Sequence, residues 1–203
     1  MRVRVVQDLE HLETHAYGLR MTTWWGTLAF FGIEGMALAL AAGSYLYLAW
    51  LSPVWPLSAP PPDLLWSSLF TLVLLLSLIP TSLLMRIAHT EDLVKVRILL
   101  IIMTLVGILA CGLRVMEFTT LHVRWDTNAY GSLVWFILAL HTTHIVTDVI
   151  DTAVLTVMMF TRHAKGKRFS DAEDDGLYWY FVIIVWLPIY GLLYWFPRFW
   201  GGN

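Results

Sequence analysis

A single cysteine, Cys111, stands among 203 residues. No intrachain disulfide can form and no cysteine cluster can hold a metal, so the residue reads as a small packing side chain. Charge is scarce as well. Only 14% of the residues are Asp, Glu, Lys or Arg, and the net charge is -2, against roughly 25% charged residues in an ordinary soluble domain. That excludes the basic field a nucleic-acid partner needs. Also absent are a nucleophile beside its base, a phosphate-cradling loop, a dinucleotide fingerprint, an internal repeat and a low-complexity tail. The first twenty residues are polar and of mixed charge rather than signal-like, so the first helix is expected to insert uncleaved.

What is abundant is apolar surface. The chain is 58% hydrophobic with mean hydropathy +0.67, more than one core can bury. About 20 mostly apolar residues span a bilayer as a helix. Five stretches reach that length: Trp24–Trp50, Leu64–Met85, Ile98–Met116, Tyr130–Phe160 and Leu177–Phe196. The expected fold is therefore all-α, a polytopic membrane bundle of five transmembrane helices forming one transmembrane domain over residues 1–203. Pro53, Pro56 and the run Pro60–Pro62 end helix 1. Asp63 is placed to cap helix 2, Thr90 to cap helix 3, and Ser170 with Glu173 to form a capping box before helix 5. Pro80 and Pro188 fall inside spans and predict kinks.

Lys and Arg set the orientation. Arg2, Arg4, Arg20, Arg86, Lys95, Arg97, Arg162, Lys165, Lys167 and Arg168 fall on one side, and only Arg114, Arg124 and Arg198 on the other. The N-terminus is expected inside and the C-terminus outside. Trp24, Trp25, Trp50, Trp66, Trp125, Trp179, Trp195 and Trp200 fall near the proposed interfaces as an aromatic belt.

Ionisable groups inside spans are expensive and mark candidate sites. Glu34 of helix 1 sits between Gly32 and Gly35, where a helix or lipid can approach closely. It reads as a carboxyl bonded to a neighbouring helix, as a lipid-cleft residue or as a proton-active group. Helix 4 carries His141, His144, Asp148 and Asp151. Offsets of 3, 7 and 10 residues keep this polar seam within about 80° of one face. It must face a helix or water, and an interhelical hydrogen-bond network suits it better than a metal, because too few ligands converge. No metal site is expected, and no second span offers a histidine for a haem. Arg114 and Glu117, spaced i,i+3 at the outer end of helix 3, read as an interfacial ion pair. Asp171, Glu173, Asp174 and Asp175 read as a solvated, capped loop on the inner side. There, with His11, His15 and His163, they could hold protons transiently.

Four segments, in order, resemble subunit III of the haem–copper (cytochrome c) oxidases in its five-helix form. They are Trp25-Gly26 through Phe30, Glu34 and Met36 to Ser44-Tyr45-Leu46-Tyr47; Arg114 to Phe118; Asn128-Ala129-Tyr130-Gly131-Ser132 running to Leu140-His141-Thr142-Thr143-His144-Ile145; and Tyr178-Trp179-Tyr180-Phe181-Val182 through Trp186 to Tyr194-Trp195. The family usually has a small residue where Asp148 stands, and histidine and aspartate where Tyr180 and Ile183 stand. Asp148 is therefore expected to replace the missing acid, bonding His144 one turn away with Tyr180 as a further donor.

The resemblance implies a non-catalytic subunit with no catalytic residues and no cofactor of its own. It would pack mainly on oxidase subunit I and also on other oxidase subunits, bind phospholipid near Glu34, and support proton uptake during oxygen reduction. Haem and copper are expected in the partner subunits. A bacterial inner membrane is the expected location. The alternatives are the third-subunit-like protein of a nitric oxide reductase complex and a stand-alone membrane transporter.

Overall fold

The computed structural model describes residues 21–57, 60–161 and 166–200, together with Gly18. His11, His15, His163, Arg2, Arg4, Arg20, Arg162 and Lys165 lie outside the described residues. Five long helices follow one another: α1 (Thr22–Leu51), α2 (Leu64–Ala88), α3 (Leu93–Thr119), α4 (Ala129–Met159) and α5 (Gly166–Tyr190). The last continues through a π turn (Gly191–Trp195) into the short α6 (Phe196–Trp200). All five are long and apolar enough to cross a membrane, and the described residues contain no strand.

The spans come out where hydropathy places them, but their ends are set by different residues from those expected. Ser52, held extended ahead of Pro53, closes α1, as the residue before a proline should. Asp63 stands at the N-cap of α2 but makes no cap bond; its carboxylate faces His122 Nε2 at 3.2 Å instead. Thr90 does not cap α3. Its hydroxyl donates to the Ile87 carbonyl at 2.8 Å and finishes α2, while Asp92 caps α3 by accepting from the Lys95 N–H at 3.3 Å. The helix thus starts five residues before Ile98, and its early Arg97 donates to the Met159 carbonyl at the end of α4, at 2.8 Å. α2 runs unbroken through Pro80. In α5 the irregularity beyond Pro188 is the π turn.

The largest departure is the start of α5. Ser170 and Glu173 form no capping box, because Ser170 lies inside the helix and its hydroxyl donates back to the Lys167 carbonyl at 2.8 Å. The acidic run is helical, not a solvated loop. Arg168 and Asp171 pair at i,i+3, 2.8 Å apart, and the small Ala172 and Gly176 turn inward, where a side chain on Gly176 would meet Met85 at 2.7 Å. Polar turns on one side and small residues on the other let α5 begin eleven residues ahead of the apolar stretch.

α2 packs on α3 and α5, α3 on α4, and α4 on α5, while α1 rests on α4 and α5. Lipid offers no hydrophobic gain for helix association, so close packing and polar bonds must hold the bundle. Trp179 Nε1 donates to Ser77 Oγ at 2.7 Å and Trp186 Nε1 to Thr71 Oγ1 at 2.8 Å, joining α5 to α2. Trp179 is therefore a core residue, 2% exposed, not part of the aromatic belt. At Gly107 a Cβ would fall 2.4 Å from Val149 Cγ2, so the Val149 side chain of α4 packs directly on the α3 backbone there. α1 is peripheral. Only Leu38, Ala41, Tyr45 and Ala49 are buried, and Ile33, Met36, Leu40 and Trp50 face outward.

Candidate functional site

The polar seam of α4 is split between two centres. His141 belongs to a sealed cluster at the meeting of α2, α3, α4 and α5. Arg114 Nη1 donates to Glu117 Oε2 at 2.5 Å, and Arg114 Nη2 approaches His141 Nδ1 at 2.9 Å. The guanidinium lies 3.9 Å from the Phe70 ring centroid and 4.2 Å from that of Trp186. Tyr194, brought inward by the π turn, donates its hydroxyl to Glu117. The i,i+3 pair is thus not interfacial: Arg114 and Glu117 are each 1% exposed. α3 runs on to Thr119 and the end of α5 folds over it, which puts both residues inside protein. A guanidinium only donates, so His141 Nδ1 accepts and its Nε2–H donates to the Val182 carbonyl at 3.1 Å. Both ring nitrogens are then engaged, and His141 has none left for a metal.

His144, Asp148 and Asp151 turn to a lateral cleft of about 600 Å³ between α1, α4 and α5. Glu34 enters from α1. Its carboxylate accepts from the Tyr178 hydroxyl at 2.8 Å and lies 3.5 Å from His144 Nε2. Phe31 stacks on Phe181 at 4.5 Å and steadies this crossing of α1 over α5. The Glu34 carboxylate is thus hydrogen-bonded from α5 and lines the cleft. Asp148 is 4% exposed and Asp151 is exposed at the cleft wall. Facing them from α5 are Asp171, Asp174 and Asp175, of which Asp175 accepts from Thr152 at 2.9 Å.

The expected bond between Asp148 and His144 does not form. Among the described residues neither Asp148 nor Tyr180 hydrogen-bonds that imidazole, whose Nε2 faces Glu34. Glu34, with one methylene more than an aspartate, reaches His144 from α1, whereas Asp148 stays against the cleft beside Asp151 and Asp175. Ile183, where the family's aspartate was expected, is buried core. No group of three or more His, Cys, Asp or Glu side chains among the described residues is arranged to hold a metal.

The Tyr130-Gly131-Ser132 segment has a structural explanation. Asn128 caps α4 by accepting from the Gly131 N–H at 2.8 Å, and its own amide donates to the Leu57 carbonyl at 2.9 Å. A Cβ on Gly131 would sit 2.2 Å from the Arg124 carbonyl oxygen. Ser132 donates to the Trp125 carbonyl at 2.6 Å, while Tyr130 is buried against Tyr45 and Trp55.

Sequence reasoning missed Tyr178 beside Glu34, Tyr194 beside Glu117 and the Phe70–Trp186 cage around Arg114. A signal for the first was available: Asp171, Asp175 and Tyr178 are spaced by four and three residues, a single helical face.

Five membrane-crossing helices whose intramembrane charges turn either into a sealed cluster or onto one lateral cleft define a polytopic helical membrane subunit. The family model for cytochrome c oxidase subunit III matches residues 62–199, from just before α2 to the last turn of α6. The chain belongs to that family. It is a membrane subunit of a haem–copper oxidase and associates with other oxidase subunits. The match begins beyond α1, so Glu34 is tied to the site by geometry and by the resemblance of the first helix.

Proposed function

We propose that this chain is the non-catalytic subunit that packs on subunit I, binds phospholipid in the α1–α4–α5 cleft and supports proton uptake during oxygen reduction. The observation that carries this reading is Glu34, an intramembrane carboxyl hydrogen-bonded by Tyr178 and 3.5 Å from His144 Nε2 at the head of that cleft. An acid at this depth is costly unless it faces protein or a polar cavity, and here it does both. The acids of α4 and α5 line the cleft toward the end where α5 begins. With the N-terminus inside, as the distribution of Lys and Arg favours, that end faces the cytoplasm of a bacterial cell, where protons are taken up. Haem and copper belong to the partner subunits, and this chain supplies scaffold, lipid and proton-holding groups.

Mild purification of the complex tests this reading. Haem-bearing partners should accompany the chain, and the chain separated from them should contain no stoichiometric iron, copper or zinc. A lone, colourless, metal-loaded protein would overturn it.

A further inference from the structure

The buried residues of α1, Leu38, Ala41, Tyr45 and Ala49, all lie in its second half. From Thr22 to Ala37 no residue is buried, so burial does little to hold that half to the bundle. Specific local contacts join it to α4 and α5 instead. Near its start Thr23 Oγ1 donates to Asp174 Oδ2 at 2.9 Å. Further along, Phe31 stacks on Phe181 at 4.5 Å. Near its end Glu34 accepts from Tyr178 at 2.8 Å and lies 3.5 Å from His144 Nε2. The residues that α1 gives to the cleft, Thr27, Phe30 and Glu34, all belong to this half. The wall opposite is anchored, since Asp148, Thr152 and Leu155 of α4 are buried. Gly35 lies just before the two halves meet, and Gly32 one turn earlier has nothing within 4 Å of where its Cβ would stand. Glycine weakens a helix interior because it adds no side chain and leaves the backbone freer.

We propose that the first half of α1, residues 22–37, is a lid on the cleft, hinged between Gly35 and Leu38 and held shut by two hydrogen bonds. The Thr23–Asp174 bond latches its free end. The Tyr178–Glu34 bond fixes its root, about 16 Å away at a rise of 1.5 Å per residue. Swinging this half outward parts Thr27 and Phe30 from α4 and α5 and widens the cleft toward the bilayer, while Leu38 to Ala49 keep their packing. The lid thereby governs how the cleft exchanges its contents with the surrounding membrane. Hydrogen bonds between helices in a bilayer are individually weak, so two of them hold a lid that thermal motion can lift on the microsecond-to-millisecond scale of hinge movements. The proposal rests on the geometry of the cleft and not on its occupant.

The test uses the intact oxidase complex in nanodiscs, with Cys111→Ser and the other reactive cysteines replaced. Nitroxide labels at Ala29→Cys and Val157→Cys report across the cleft, and labels at Tyr47→Cys and Phe136→Cys report across the packed half of α1. Distances are read by pulsed electron paramagnetic resonance. The pair across the cleft should show a broader distribution than the pair across the packed half. Tyr178→Phe and, separately, Thr23→Val should each raise its population at longer distance by about three- to thirtyfold, the worth of one interhelical hydrogen bond in a bilayer. Neither should move the pair across the packed half. A narrow distribution across the cleft that neither substitution moves would overturn the lid, and would show this half of α1 clamped, by a partner subunit or by its own contacts. Equal broadening of both pairs would also overturn it, as a general loosening of the bundle. The Thr23→Val result decides the matter if Tyr178→Phe fails to assemble. Since no lipid is measured, failure of the lid leaves the phospholipid reading standing.

Discussion

Replacing Glu117 with Ala should strongly destabilise this bundle. The substitution leaves the Arg114 guanidinium 1% exposed with no carboxylate and removes the acceptor of the Tyr194 hydroxyl. Removing one partner of a buried ion pair costs about 3–5 kcal/mol. The rings of Phe70 and Trp186, 3.9 and 4.2 Å from the guanidinium, remain, but a desolvated cation–π contact is worth only about 2 kcal/mol and already exists in the intact protein. The equilibrium for holding the subunit in its folded, complex-bound form should therefore shift by about a hundredfold or more. Removing both charges is a different perturbation. Arg114→Met with Glu117→Met leaves no orphan, and buried pairs replaced by apolar residues are often neutral. The assay is thermal release of the subunit from the purified complex for Glu117→Ala and, read as a double-mutant cycle, for Arg114→Met, Glu117→Met and the double variant. A loss below about 1 kcal/mol for Glu117→Ala, within the range of exposed pairs, or a double variant as damaged as the sum of the singles, would refute the idea that this cluster is one coupled unit.

Glu34→Gln should leave assembly largely intact, because an amide can still accept from Tyr178, but should shorten the working life of the oxidase during sustained turnover; failure to assemble would show that the charge itself is structural. Gly131→Ala should destabilise the α4 start by about 1–3 kcal/mol, since its Cβ would fall 2.2 Å from the Arg124 carbonyl oxygen; an unshifted thermal-release temperature would contradict that contact. Neutralising Asp171 and Asp174 together should lower turnover modestly at alkaline pH, where protons are scarce, and little at neutral pH; identical pH profiles would confine these acids to packing and solubility.

The number and order of the spans were legible because length and hydropathy decide them in a bilayer. The helical seam on α4 was legible too, since its spacing is periodic. What lay opposite each member was not. His141 and His144 are one turn apart and look equivalent in sequence, yet one faces Arg114 and the other Glu34. That difference depends on where α1 and α5 cross α4, which no single helix encodes. The start of α5 was misplaced for a local reason: a hydropathy window discards Lys167 to Asp175, although their i,i+3 and i,i+4 polar spacing with inward Ala172 and Gly176 is helical. Arg114 and Glu117 look interfacial in sequence because the apolar run ends at Met116, and the cover supplied by Tyr194 depends on the π turn.

That turn has a further consequence. A helix that closes one turn with i→i+5 bonds holds a surplus residue relative to the α pitch. Everything beyond Trp195 is rotated by about 100° from where a regular helix would put it, and Tyr194, inside the turn, by part of that. Tyr194 meets Glu117 while its neighbour Trp195 stays 42% exposed because of that phase offset. Length, and not only identity, is therefore encoded in this stretch: a chain shorter by one residue between Pro188 and Leu193 could keep every side chain of the cluster and still present the wrong one to Arg114 and Glu117.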